Sequence, residues 1–400
     1  MTSSQKVSVA GMGCICACGH TPESAFEGAL RGEAYFAFPV NRVESTYTSK
    51  FPVFMVPPDI CAAKPADMTF SQFFFIEAAK QAFEQAGISP RQLSSKRVGV
   101  VVGSSVHPSF HCFEIYKRWK HHTLTAQDVT GLKNYLATPL APWVSRFFGF
   151  KGPVQTVVTA CASGTDAIGM AKNWIETGLC DAVLCGGTDE ISESPYDGFI
   201  RLLVSTPQKC RPFSKDRTGI NIGEGAAALL LVNADTAREF HLPCHGYVLG
   251  YGNACDGFHP TAPDPQGTGL QQALTFALRD ANVQPQDLAF VNAHGTASQA
   301  NDSAEAVAFR AVIPDVAVWG SKGVTGHTLG AAGAVEAVLS LQALNKCILP
   351  ATVGFTMADE KLGLTPTMQT VPIAKRVAVS DSLAFGGCNA AIVLEACDAA

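Results

Sequence analysis

Of the 14 cysteines in this 400-residue chain, one stands in a setting suited to chemistry. In VVTACASGTDAIGMA, residues 157–171, Val157, Val158 and Thr159 read as a buried strand. Ala167, Ile168, Ala171, Trp174 and Ile175 then recur at helical spacing, and Gly178 stands where a helix would stop. Cys161 falls on the turn between the two. Its neighbours Ala160, Ala162, Ser163 and Gly164 leave room for another molecule to approach the sulfur. A helix N-terminus also favours the thiolate, so the thiol pKa should be lowered. A free cysteine is more often a small buried hydrophobe. Strand, cysteine, small residues and helix in that order are what mark Cys161 as a nucleophile.

Two histidines could complete such a site. His294 follows a strand-like run in VNAHGTASQAND, residues 291–302. His327 sits on the Gly-rich turn of GSKGVTGHTLGAAGAVEA, residues 320–337, with Lys322 five residues earlier. A histidine at a strand end beside glycine can be reached by substrate. There is no GxxxxGK[ST], no GxGxxG between strand and helix, and no G-x-S-x-G around Ser163. Phosphate-loop and serine-hydrolase chemistry are therefore set aside.

The elements that must position these residues alternate along the chain. Strand-like runs are KVSVAG, RVGVVVG, QTVVTA, AVLCGG, AALLLV, YVLGYG, AFVNAH, VAVWGS and AAIVLEA, with helical patterns such as SQFFFIEAAKQAFEQAG between them. The class is α/β with buried strands. Lys6 to Ala10 reads as the first strand and Gly11-Met12-Gly13 as its turn; a single basic charge and interrupting glycines speak against a secretory leader. Cys14, Cys16 and Cys18 lack the spacing of a zinc site. Scattered cysteines suit a reducing, cytoplasmic setting better than a disulfide scaffold. A composition of 47% hydrophobic and 16% charged residues implies a subunit interface. The net charge of -5 and the lack of a basic arm argue against nucleic acid, and no apolar run is long enough for a membrane span.

A faint duplication runs through the chain in order. VSVAGMGCICACG echoes YVLGYGNACDG, RVGVVVGSS echoes LAFVNAHGT, and the cysteine turn echoes GSKGVTGHTLGAAGAVEA. The expected halves are residues 1–240, carrying the nucleophile, and 241–400, carrying the histidines, packed as one body.

TACASG, NAHGT, GSKGVTGHTLGAAG and FGGCN, in this order in a duplicated chain, resemble the β-ketoacyl-ACP synthases of the FabF/FabB type, in the thiolase-fold superfamily. GMG, RPFSKDR and IGEGAA extend the resemblance over essentially the whole length. It implies a thiolase-like fold, two duplicated α/β halves layered α-β-α-β-α. It also implies an acyltransferase that condenses an acyl-cysteine with malonyl-ACP by decarboxylation, in fatty acid, polyene or polyketide elongation. Cys161 would carry the acyl group, and His294 and His327 would stabilise the enolate oxygen. Backbone N–H groups of Cys161 and Phe385 would form an oxyanion hole, with Phe385 as gate. Lys322 and Glu336 would be supporting charges, and Thr296 and Ser298 would bind the pantetheine arm. No metal and no organic cofactor is implied. The partners would be an acyl carrier protein and a second subunit, identical or related. The alternatives are a thiolase-like acyl-CoA acyltransferase and a non-catalytic partner subunit; Cys161 with both histidines speaks against each.

The chain departs from the family pattern at several places. Leu383 and Ala384 precede Phe385 where Phe and Gly are usual, and this should stiffen the gate. Ser214 and Ile220 replace Asp and Phe, His107 and Pro108 replace glycines beside the acyl pocket, and Cys388 replaces Thr. The usual basic carrier-binding helix is thinned to Lys64. QKCRPFSKDR and KRWKHH are then the remaining cationic runs, and Arg201 with Lys64 is the expected docking pair.

Overall fold

The computed structural model describes residues 6–106, 115–137 and 139–397. Ten strands form the main sheet: β1 (Val7–Cys16), β2 (Val98–Gly103), β3 (Val154–Val157), β4 (Ala182–Asp189), β5 (Gly225–Val232), β6 (Tyr247–Cys255), β7 (Leu288–Asn292), β8 (Ala317–Trp319), β9 (Val377–Leu383) and β10 (Cys388–Glu395). Their order is β8-β7-β9-β10-β6-β1-β5-β4-β2-β3. The first five strands follow 1-5-4-2-3, and the last five follow 6-10-9-7-8, the same path repeated. β1 and β6 join the halves through only two paired positions, Val7 with Val248 and Ser8 with Tyr247.

Five helices are the longest among the described residues. They are α1 (Phe70–Gln85), α2 (Ser163–Glu176), α3 (Thr268–Ala281), α4 (Gln299–Val312) and α5 (Ala332–Lys346). α1 covers β1 and β5 on one outside face, and α3 covers β6 and β10 on the other. α2 and α5 pack against each other between the half-sheets. This is the α-β-α-β-α layering that the family resemblance implies. Ala-rich α5 is buried all round from Ala332 to Leu344, because both of its faces meet protein. Thr69 caps α1 in a capping box with Gln72, which fixes where that helix starts.

The structure departs from the sequence pattern at three places. Gly11-Met12-Gly13 is not a turn: β1 continues through it to Cys16, with a shift of register between Val9 and Gly11. Those glycines serve close packing, since a Cβ on Gly13 would lie 1.9 Å from Ala78 O of α1. The Val157–Thr159 strand is shifted to Val154–Val157 and is an edge strand, with Val158 60% exposed beyond it. The third is β9, which the apolar pattern omits because Ser380, Asp381 and Ser382 interrupt it while lying fully buried. Among the described residues no helix is long and apolar enough to cross a membrane.

Candidate active site

The turn after β3 is shaped to hold Cys161 in front of α2. Ala160 adopts a left-handed φ of 50°, at a cost of about 1 kcal/mol for a residue with a Cβ. Its carbonyl oxygen accepts from Ser105 Oγ (2.7 Å) and Ser163 Oγ (2.6 Å), and Thr159 N–H donates to Ser163 Oγ (2.9 Å). The Cys161 sulfur faces its own N–H and that of Phe385. The thiol is nevertheless pushed up to about 12, because burial outweighs the nearby Lys322 charge and the Phe385 N–H. The lowered pKa expected from the helix terminus is therefore overturned. At 5% exposure, the thiolate loses more in hydration than those dipoles return. Cys161 rests as a thiol.

His294 at the end of β7 and His327 before α5 meet edge to face over this sulfur, ring centroids 4.9 Å apart. Their protonation follows from their partners. Leu329 N–H donates to Nδ1 of His327 (3.2 Å), and Lys322 Nζ lies 3.2 Å from Nδ1 of His294. Each Nδ1 is thus an acceptor, and each Nε2 carries the hydrogen of a neutral imidazole. Burial, then the Lys322 ammonium, hold both rings well below the usual histidine pKa. Lys322 in turn is ion-paired with Glu336 of α5. Behind it lie two further buried carboxylates, Glu305 and Asp381, both pushed up first by burial.

Cys161, His294 and His327 have ligand atoms within 4.8 Å of one another, the compactness of a metal site. The donor set does not fit one. A metal needs the Nε2 lone pairs, and both Nδ1 atoms already face donors that enforce Nε2–H. The same two N–H groups fit an oxyanion.

A cavity of about 300 Å³ opens onto this group. Cys161, both histidines, Thr296, Ser298 and Phe385 line it. Phe385 stacks on Phe199, centroids 5.3 Å apart and planes 15° apart. Ser298 also caps α4, accepting from Asn301 N–H at 3.3 Å. Ala384, expected to stiffen the gate, is in ordinary extended backbone at φ -121°. Ser214 ties its loop down by donating to Asp216 and lying 2.9 Å from Thr356 Oγ1. His107 and Pro108 lie outside the described residues.

Neither proposed docking residue lines the cavity. Lys64 turns inward, donating to Pro65 O (2.9 Å) and Met68 O (2.7 Å). Arg201 is exposed, and Leu203, two residues on, lines the cavity and is 88% exposed. Of the other cations, Arg211 pairs with Asp216, Arg217 with Asp359, Lys117 with Glu44 and Arg118 with Asp128. Lys215 is exposed three residues before Thr218 of the cavity lining.

The sequence reading missed Asp189, at the end of β4. One carboxylate oxygen accepts from Ser104 Oγ (2.6 Å) and Val106 N–H (3.1 Å). The other accepts from Ser105 N–H (2.9 Å) and Gly330 N–H (2.6 Å). Through Ser105 it reaches the Ala160 carbonyl, and through Gly330 the turn that carries His327. An acidic residue closing an otherwise apolar strand was the available signal. Asp189→Asn removes one acceptor oxygen and strands buried N–H groups, at a cost of about 2–3 kcal/mol. A lower Tm is expected, with kcat falling more than KM rises. A change in Tm alone, with kcat intact, would make Asp189 purely structural.

The family described as "Beta-ketoacyl synthase, N-terminal domain" matches residues 4–237, and "Beta-ketoacyl synthase, C-terminal domain" matches residues 245–356. The 3-oxoacyl-[acyl-carrier-protein] synthase 2 of Staphylococcus aureus (strain COL) is 29% identical, over 99% of each chain. Among solved structures, the ishigamide ketosynthase/chain length factor superposes with a TM-score of 0.90 at 28% identity, covering 99% of this chain and 100% of that one. The ketosynthase ApeO in complex with its chain length factor ApeC, from Xenorhabdus doucetiae, gives 0.80 at 26% identity and 99% of each chain.

Proposed function

The chain belongs to the β-ketoacyl synthase family, and from that premise we propose that Cys161, His294 and His327 divide a decarboxylative Claisen condensation between them. The observation that carries this assignment is the pair of neutral Nε2–H donors facing one buried thiol. The enzyme is a 3-oxoacyl-ACP synthase acting in fatty-acid or polyketide elongation.

The first half-reaction moves the acyl group. Cys161 Sγ attacks the carbonyl carbon of an acyl thioester, the carbon–sulfur bond to the carrier arm breaks, and the thiol proton leaves with the carrier sulfur. The N–H groups of Cys161 and Phe385 receive the tetrahedral oxyanion. Because Cys161 rests as a thiol, the substrate must complete its activation in the closed cavity.

In the second half-reaction a malonyl thioester places its carbonyl oxygen between the two Nε2–H groups. The carboxylate departs as CO2 and its bonding electrons remain as an enolate. Two neutral donors stabilise that oxygen without fixing a cation against it in the ground state. The enolate carbon attacks the acyl-cysteine, the intermediate collapses, and Cys161 thiolate leaves and regains a proton. Lys322, held by Glu336, keeps Nδ1 of His294 an acceptor; it is a positioning residue. Thr296 and Ser298 would hydrogen-bond the pantetheine arm along the cavity wall.

The carrier protein would dock at the mouth, where Arg201 is exposed two residues before the apolar Leu203 of the cavity lining, with exposed Lys215 three residues before Thr218. With Lys64 folded into its own loop, Arg201 carries the larger share of the charge in this reading. A second subunit, identical or related, belongs to the same proposal, since two of the similar solved structures pair a ketosynthase with a chain length factor. Incubation with acyl-carrier is expected to add the acyl mass to the Cys161 peptide, and malonyl-carrier to remove it as 3-oxoacyl product and CO2. Arg201→Glu should slow acylation by acyl-carrier about tenfold through on-rate and leave acyl-pantetheine unaffected. Equal slowing of both substrates would overturn the docking role, and an acyl group on any other cysteine would overturn the site.

A further inference from the structure

Two cysteines outside the catalytic set face each other beside the Phe385 turn. In the β6–β10 ladder, Cys388 stands directly opposite Cys255. The next position carries a hydrogen bond, from Asp256 N–H to Gly387 O at 3.0 Å. Hydrogen-bonded and non-hydrogen-bonded pairs alternate along an antiparallel ladder, so Cys255 and Cys388 form the latter kind. Such residues have Cα atoms about 4.5 Å apart and side chains on one face. A disulfide accommodates Cα separations of about 4.4–6.8 Å. Both thiols are free, with Cys255 exposed and Cys388 half-buried. The Cys16 and Cys18 sulfurs are also close, at 3.4 Å, but both are buried away from an oxidant.

The pair is tied to the site by short stretches of chain. Cys388 ends the turn Phe385–Gly387, whose first N–H faces the Cys161 sulfur. Gly386 N–H donates to Pro260 O (2.8 Å), and Cys255 Sγ lies 3.6 Å from Gly386 O. A Cβ on Gly387 would lie 2.1 Å from Asp256 Oδ1, so the turn is pressed against the residue after Cys255. The segment after Cys255 supplies Thr261 and Pro263 to the cavity lining. Anything that fastens Cys255 to Cys388 therefore fastens the gate to the cavity wall.

We propose that Cys255 and Cys388 are a redox-modification site, forming a reversible disulfide that holds the Phe385 turn closed against acyl-carrier substrate. The oxidant is a hydroperoxide. Cys255 thiolate takes the terminal oxygen, the O–O bond breaks, and an alcohol or water leaves. Cys388 sulfur then attacks the sulfenic sulfur, the S–S bond forms, and water leaves. Two thiols are oxidised and one peroxide is reduced; a dithiol reverses the step. The bond itself stands on the ladder geometry, while its effect on rate rests on the reading of Phe385 as the gate.

Hydrogen peroxide is the probe. The expected result is a loss of two hydrogens from the protein mass, a peptide joining residues 255 and 388, and acylation of Cys161 slowed about tenfold. Dithiothreitol should restore both. Cys255→Ser should acylate at the parental rate when reduced and lose the reversible slowing, which separates this effect from oxidation of Cys161. Absence of the joined peptide, a joined peptide without slowing, or the same reversible slowing in Cys255→Ser overturns the proposal. Failure of the active-site reading would look different: reduced Cys161→Ala protein would still accept the acyl group.

Discussion

Cys161→Ala is expected to lower acyl transfer and condensation by about 10⁴-fold or more, while malonyl decarboxylation remains measurable. The two half-reactions use different atoms. The sulfur is needed to carry the acyl group, but the enolate oxygen is held by Nε2–H of His294 and His327. Neither imidazole depends on Cys161 for its tautomer, since Leu329 N–H and Lys322 Nζ fix them from behind. With no acyl-cysteine to attack, the enolate takes a proton from water, and malonyl-carrier is converted to acetyl-carrier. The substitution is small and buried, so little stability should be lost. Product analysis would show acetyl-carrier and CO2 without 3-oxoacyl-carrier. If decarboxylation fell as far as condensation, the sulfur would have to take part in both steps, and the division of labour would fail.

What the sequence made legible has a physical pattern. The duplication could be read because each half repeats one strand path, and the apolar strands and glycine turns of that path leave marks in order. Cys161, His294 and His327 could be read because each sits on a turn between elements and stands beside small residues. β9 escaped for the opposite reason. Its buried face carries Ser380, Asp381 and Ser382, and Asp381 helps form the polar layer behind Lys322. Polarity placed in the interior for the site's sake erases the apolar signal that reveals a strand. The Gly11–Gly13 segment misled in a related way, because a glycine needed for close approach of α1 looks like a glycine needed for a turn. The protonation state of Cys161 lay beyond local sequence altogether. A helix terminus is a local feature, but the burial that outweighs it comes from Phe385 and the histidine turns of the other half.

His294→Ala is expected to lower malonyl decarboxylation about 10²–10³-fold, the usual cost of one oxyanion donor. Acylation of Cys161 should continue, because that step uses the N–H groups of Cys161 and Phe385. The variant leaves the Lys322 ammonium buried with Glu336 but without its imidazole partner, so some loss of Tm should accompany it. His294→Asn separates the two effects: its side-chain N–H can replace the lost donor, and part of the rate should return. The pH profile gives an independent reading. Burial and Lys322 hold both imidazoles well below the ordinary histidine pKa, so the neutral Nε2–H form persists as pH falls through that value. The decarboxylation rate should therefore stay flat from about pH 8 to about pH 6, where a solvated imidazole would titrate. A drop centred near the ordinary histidine pKa that persists in Glu336→Gln, which removes a carboxyl that burial pushes up to about 7, would mean that at least one ring is open to water and is not locked as a donor. Parental decarboxylation by His294→Ala would remove the two-donor site altogether.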